Sequence, residues 1–97
     1  MEIKTGQLVR SRAGRDKGRY FLVVKIIDDQ FVLICDGELR RLEKPKKKKI
    51  KHLDILPVCI EGLEKEIKSN KQFGNSTLKR LIDDCLEKQN IQVGEEG

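Results

Sequence analysis

The chain has 97 residues, 38% of them charged, 37% hydrophobic and only 4% aromatic, with a formal net charge of +5. No apolar run approaches the roughly 20 residues that a membrane-spanning helix needs, so a membrane helix is excluded and a signal peptide is not expected. Cys35, Cys59 and Cys85 are odd in number and widely spaced, which reads as reduced thiols in a cytoplasmic protein rather than a disulfide framework.

Gln7–Arg12 is the first expected strand, closed by the loop Ala13-Gly14-Arg15-Asp16-Lys17-Gly18. Gly14 and Gly18 open backbone angles to that loop that other residues avoid. Tyr20–Ile27 is rich in β-branched and aromatic residues and forms the second strand. Asp28-Asp29 turns the chain into a third strand, Gln30–Cys35, and Asp36-Gly37 is a hairpin signal leading into a fourth, Glu38–Glu43. A fifth is expected around Ile50–Ile55. Short strands with short turns predict an antiparallel β-barrel over residues 3–56.

Beyond Pro57 the apolar period lengthens. Ile60, Leu63 and Ile67 suit a short amphipathic helix weakened by Gly62, and Gln72–Ser76 is a break. Leu78, Leu81, Ile82, Cys85 and Leu86 then form the stripe of a second amphipathic helix, capped by Asn75, Ser76 or Thr77 and ended by Asn90 to Gly94. The last residues, from Gly94, are expected to be disordered. Two units result: a basic barrel over 1–56 and an acidic-leaning helical extension over 57–97. The helical stripe either covers the barrel or docks a protein partner.

Chemistry for catalysis is scarce. His52 is the single histidine and lies at the end of a polybasic run, so it reads as a solvated or packing side chain. No Cys/His spacing suits a metal, no cofactor motif is present, and Gly14 to Gly18 lacks a phosphate-loop continuation. The paired acids Asp28-Asp29 and Asp83-Asp84 fit a turn and a solvated helix face. An enzyme is not expected.

Positive charge is concentrated instead. Through His52 there are 15 basic and 7 acidic residues, a net of +8, whereas the remainder carries −3. One block is Arg10, Arg12, Arg15, Lys17 and Arg19, with Arg10 and Arg12 on one strand face because side chains alternate. Forked guanidinium donors suit phosphate oxygens, and the loop glycines let backbone N–H groups approach them. The second block is Arg40, Arg41, Lys46, Lys47, Lys48, Lys49 and Lys51, read as an extended, solvated strap tethered by Leu42, Ile50 and Leu53. Together the blocks suit the backbone of a folded nucleic acid, each cation positioning without reading sequence. Phe21 and Phe31 read as core, leaving Tyr20 as the only ring placed to stack on a base. That argues against a single-strand binder built on stacked bases.

The segment Gly6-Gln7-Leu8-Val9-Arg10-Ser11-Arg12-Ala13-Gly14-Arg15-Asp16-Lys17-Gly18-Arg19-Tyr20-Phe21-Leu22-Val23-Val24 resembles a KOW motif. Val24-Lys25-Ile26-Ile27-Asp28-Asp29 and the apolar run ending in Asp36-Gly37 extend the likeness to KOW-containing large-subunit ribosomal proteins of archaea and eukaryotes. With Pro45 to Lys49 and Lys51 to Leu53 included, the front half is also similar to small bacterial KOW-domain RNA-binding proteins. The resemblance implies an SH3-like barrel, ribosomal or other structured RNA as partner, the ribosome as setting, and the Ala13–Gly18 loop as the contact. The competing expectation is a protein–protein adaptor in a transcription or translation complex, engaging an acidic partner through the barrel or the helical tail.

Overall fold

The computed structural model describes residues 2–89. Five strands, β1 (Gln7–Ser11), β2 (Tyr20–Ile26), β3 (Phe31–Cys35), β4 (Lys46–Lys49) and β5 (Leu53–Cys59), precede two helices, α1 (Leu63–Ser69) and α2 (Asn75–Lys88). All neighbouring strands are antiparallel, in the order β4-β3-β2-β1-β5. The chain is therefore mainly β with a helical tail.

Alternation sorts the side chains onto two faces, and both are buried. Val9, Phe21, Val23, Val32, Ile34 and Leu53 pack together on one. Leu8, Leu22 and Cys35 on the other meet Leu63 of α1 and Leu78, Ile82, Cys85 and Leu86 of α2. The helical stripe thus completes the second core. Each of its fully buried leucines stabilises the fold by ~1.5–3 kcal/mol relative to exposure.

Two expectations are corrected. Residues 38–43 form no strand. Oδ1 of Asp36 accepts from the backbone N–H groups of Glu38 and Arg40, at 3.0 and 2.8 Å, which curls the chain away from a hairpin. The start of α2 then pins the loop, because Oδ1 of Asn75 accepts from the Leu42 N–H at 2.8 Å. The fourth strand is the lysine run itself, Lys46–Lys49 on β3, rather than a solvated strap tethered only at its ends. An edge strand tolerates this charge: its second row of backbone groups faces water, and Lys47, Lys48 and Lys49 find separate partners.

Smaller boundaries shift as well. Ile50–His52 is one turn of 3-10 helix, and β5 continues through Pro57 to Cys59 as an edge strand. Gly74 precedes α2, its N–H donating to Oγ1 of Thr77 at 3.2 Å. The expected end of α2 at Asn90 to Gly94, and the disorder expected from Gly94, lie outside the described residues.

Candidate nucleic-acid interface

The loop between β1 and β2 is built around one buried acid. Gly14 and Gly18 take φ of 86° and 88°, and the Gly18 N–H returns to the Ser11 carbonyl at 2.8 Å. This folds Asp16 inward to 1% exposure. Its Oδ1 accepts from the Ser11 hydroxyl and from Nζ of Lys48, both at 2.9 Å. The same ammonium donates to the Ala13 carbonyl at 2.8 Å. Burial on its own raises the carboxyl pKa, but the bonds from Lys48 and Ser11 and the ammonium charge outweigh it and hold Asp16 below the usual range.

Three basic segments meet at this junction. Lys48 ties β4 to the loop. Nε of Arg40 lies 3.9 Å from Oδ2 of Asp16, bringing in the segment after Asp36. The Arg12 N–H donates to the His52 carbonyl at 2.8 Å, which sets the 3-10 turn and Lys51 beside the loop's entry. The two blocks, separate in sequence, are adjacent in the fold.

Each candidate cation has a definite place. Arg10 and Arg12 share a face as expected, and both approach Asp54 on β5, at 3.8 and 3.5 Å. Arg19 pairs with Asp36 at 3.2 Å and Glu38 at 3.5 Å, and Arg41 pairs with Glu43 at 3.5 Å. Arg10, Arg12 and Arg41 meet exposed carboxylates, contacts worth ~0–1 kcal/mol, whereas the Asp36 carboxylate that holds Arg19 is itself only 8% exposed. Among the described residues, no ion pair involves Arg15, Lys17, Lys46, Lys47, Lys49 or Lys51. Lys48 differs from the rest: its side chain is 8% exposed and bound to Asp16, so it is not part of a solvated surface.

The lysine strand also divides its charge between faces. Lys47 and Lys49 stand opposite Leu33 and Phe31, and their ammonium groups lie 4.6 and 5.9 Å from the Phe31 ring centre. They project to the opposite side from Lys48. Phe31, expected in the core, is a half-buried platform for these cations. Tyr20 is half-buried at the loop's exit, with the Arg10 guanidinium 6.0 Å from its ring centre.

The structural part of Asp16 was not foreseen from the sequence, where it stands only as one residue of the glycine loop. The available signal was its isolation: one acid among five cations, between two glycines. Asp36, Glu38 and Asp54 were also missed as partners, because nothing local links them to the arginines. No group of His, Cys, Asp and Glu among the described residues is arranged to hold a metal. No described helix is long and apolar enough to cross a membrane.

Comparison with known proteins agrees with the resemblance drawn from the motif. The chain is 38% identical over 58 residues to large ribosomal subunit protein eL14 of Hyperthermus butylicus, covering 60% of this chain and 59% of that protein. It is 40% identical over 52 residues to the eL14 of Desulfurococcus amylolyticus, covering 54% of each. The chain thus spans between half and two thirds of the length of these curated relatives. No protein-family model matches it.

Proposed function

We propose that this chain is a non-catalytic RNA-binding protein of the cytoplasmic ribosome. On this reading the five strands, through Cys59, form an SH3-like KOW barrel, and α1 and α2 are a helical extension covering one face. The observation that carries the proposal is the convergence of three basic segments on the Asp16 junction. Arg15 and Lys17 at the loop tip, Arg12 and Lys51 at its entry, and Arg40, Arg41 and Lys46 alongside form one positive surface for phosphates of structured RNA. The arginines paired with exposed carboxylates exchange those weak contacts for phosphate when RNA arrives. The similarity to eL14 proteins supports ribosomal RNA as the partner.

The adaptor reading is weaker, because the apolar stripe that would dock a partner is spent on the sheet. Ultraviolet crosslinking in cells, followed by sequencing of the attached RNA, tests the proposal. Enrichment of large-subunit ribosomal RNA is expected, with crosslinked peptides from residues 10–19 and 40–51. Recovery of protein crosslinks without RNA would favour the adaptor.

A further inference from the structure

A cleft of about 430 Å³ opens where the basic loop ends, between the Tyr20 side of the sheet and α2. Its volume falls in the range of small-ligand sites, ~300–1,000 Å³. Gly18 belongs to both the loop and the cleft, so RNA held on the loop lies at its mouth. Ile82 and Leu86, 5% and 3% exposed, give an apolar wall, and Tyr20 supplies the aromatic surface. Arg10, Arg19 and Lys79 line it together with the carboxylates of Asp36, Glu38 and Asp83, so its charge is mixed. Glu38 lies on the rim with its carboxylate 60% exposed, held only loosely by Arg19 at 3.5 Å and Lys79 at 4.0 Å.

An aromatic ring, an apolar wall and flanking guanidinium groups suit an unstacked base with its phosphates. A carboxylate selects among bases because it only accepts hydrogen bonds. Guanine offers N1–H and N2–H side by side to both oxygens, whereas uracil offers one N–H between two carbonyls that the carboxylate repels. We propose that this cleft receives a single extruded guanine of the bound RNA, read by Glu38 and stacked against Tyr20 in place of the Arg10 guanidinium, which moves with Arg19 onto its phosphates. The inference rests on the RNA-binding reading above and adds a base-specific contact to it.

The test uses the full chain and three fluorescent stem-loop RNAs: a fully paired stem, and the same stem with one bulged guanine or one bulged uridine. Binding is followed by anisotropy. The bulged-guanine RNA is expected to bind about tenfold more tightly than the bulged-uridine RNA, the discrimination of one bidentate base contact. In Glu38→Gln this ratio is expected to fall close to one; being a ratio on one protein, it is insensitive to the change in net charge. Tyr20→Leu is expected to bring both bulged RNAs toward the paired stem. Should Tyr20→Leu not fold, the exposed Glu38→Gln substitution alone decides. Equal, salt-sensitive binding of all three RNAs by the unaltered chain, or a ratio that survives Glu38→Gln, overturns the cleft proposal and leaves the loop reading standing. Failure to bind any of the RNAs overturns both.

Discussion

Replacing Asp16 with Asn separates a structural carboxylate from an electrostatic nuisance. The substitution removes one negative charge from a protein proposed to bind a polyanion, so charge counting alone predicts tighter RNA binding. The geometry predicts the reverse. With side chains 2% and 8% exposed, Asp16 and Lys48 are barely screened by water, and the bond between them is 2.9 Å long. Asn keeps an acceptor for Ser11 and Lys48 but leaves the ammonium uncompensated. The cost lies between that of one charge-assisted hydrogen bond, ~1.5–3 kcal/mol, and that of an orphaned buried charge, ~3–5 kcal/mol. About 3 kcal/mol is expected, or roughly 12–24 °C in melting temperature for a domain this size. Thermal denaturation followed by circular dichroism gives the stability. RNA affinity, measured below the variant's transition, is expected to weaken because Arg15 and Lys17 lose their fixed support. Tighter binding combined with an unchanged melting temperature would refute the reasoning.

Three further outcomes follow from the same geometry. Asp16 titrates lower in the folded chain than in the unfolded one, so its stabilisation is complete above pH ~4 and is lost as pH falls through its folded value; acid titration of Lys48→Met is therefore expected to lack part of the loss seen in the unaltered protein. Gly37, at φ 82°, has no room for a Cβ, which would collide with the Asn75 carbonyl. Gly37→Ala is expected to cost about 2 kcal/mol or more in denaturant melts. Burial pushes the Cys35 thiol up to about 12 and raises that of Cys85 as well. Both should resist iodoacetamide at pH 8 until denaturant is added, as read by mass spectrometry.

The parts of this fold that local pattern controls were legible in the sequence. Tyr20–Ile26 and Phe31–Cys35 are dense in β-formers, and the spacing of Leu78, Ile82, Cys85 and Leu86 matches the face that α2 buries. Misreadings arose where a distant partner overrides local preference. The Asp36-Gly37 hairpin signal suggested a strand, yet Asp36 folds the backbone onto its own carboxylate and Leu39 stays 48% exposed. Four successive lysines argued for a solvated strap, because strand propensity does not register an acid 32 residues away that neutralises one of them. Phe31, between two ammonium groups, then makes the exposed face of the same strand tolerable. The two basic blocks are visible in the sequence, although Lys48 turns inward to Asp16. Most of the carboxylates that position or restrain them are not, since, apart from Arg41 with Glu43, these pairs join separate strands or loops.

The salt dependence of binding to a structured RNA tests the central claim most directly. Each phosphate neutralised contributes about −0.9 to the slope of log Kobs against log salt concentration, so five to seven surface cations give about −4.5 to −6.3. Arg15→Gln and Lys17→Gln should each make the slope shallower by about one. Lys48→Met should weaken binding with little change in slope, because its ammonium faces Asp16 rather than the ligand. A slope shallower than about −2, or a loss of slope on replacing Lys48 equal to that for Arg15, would contradict the account.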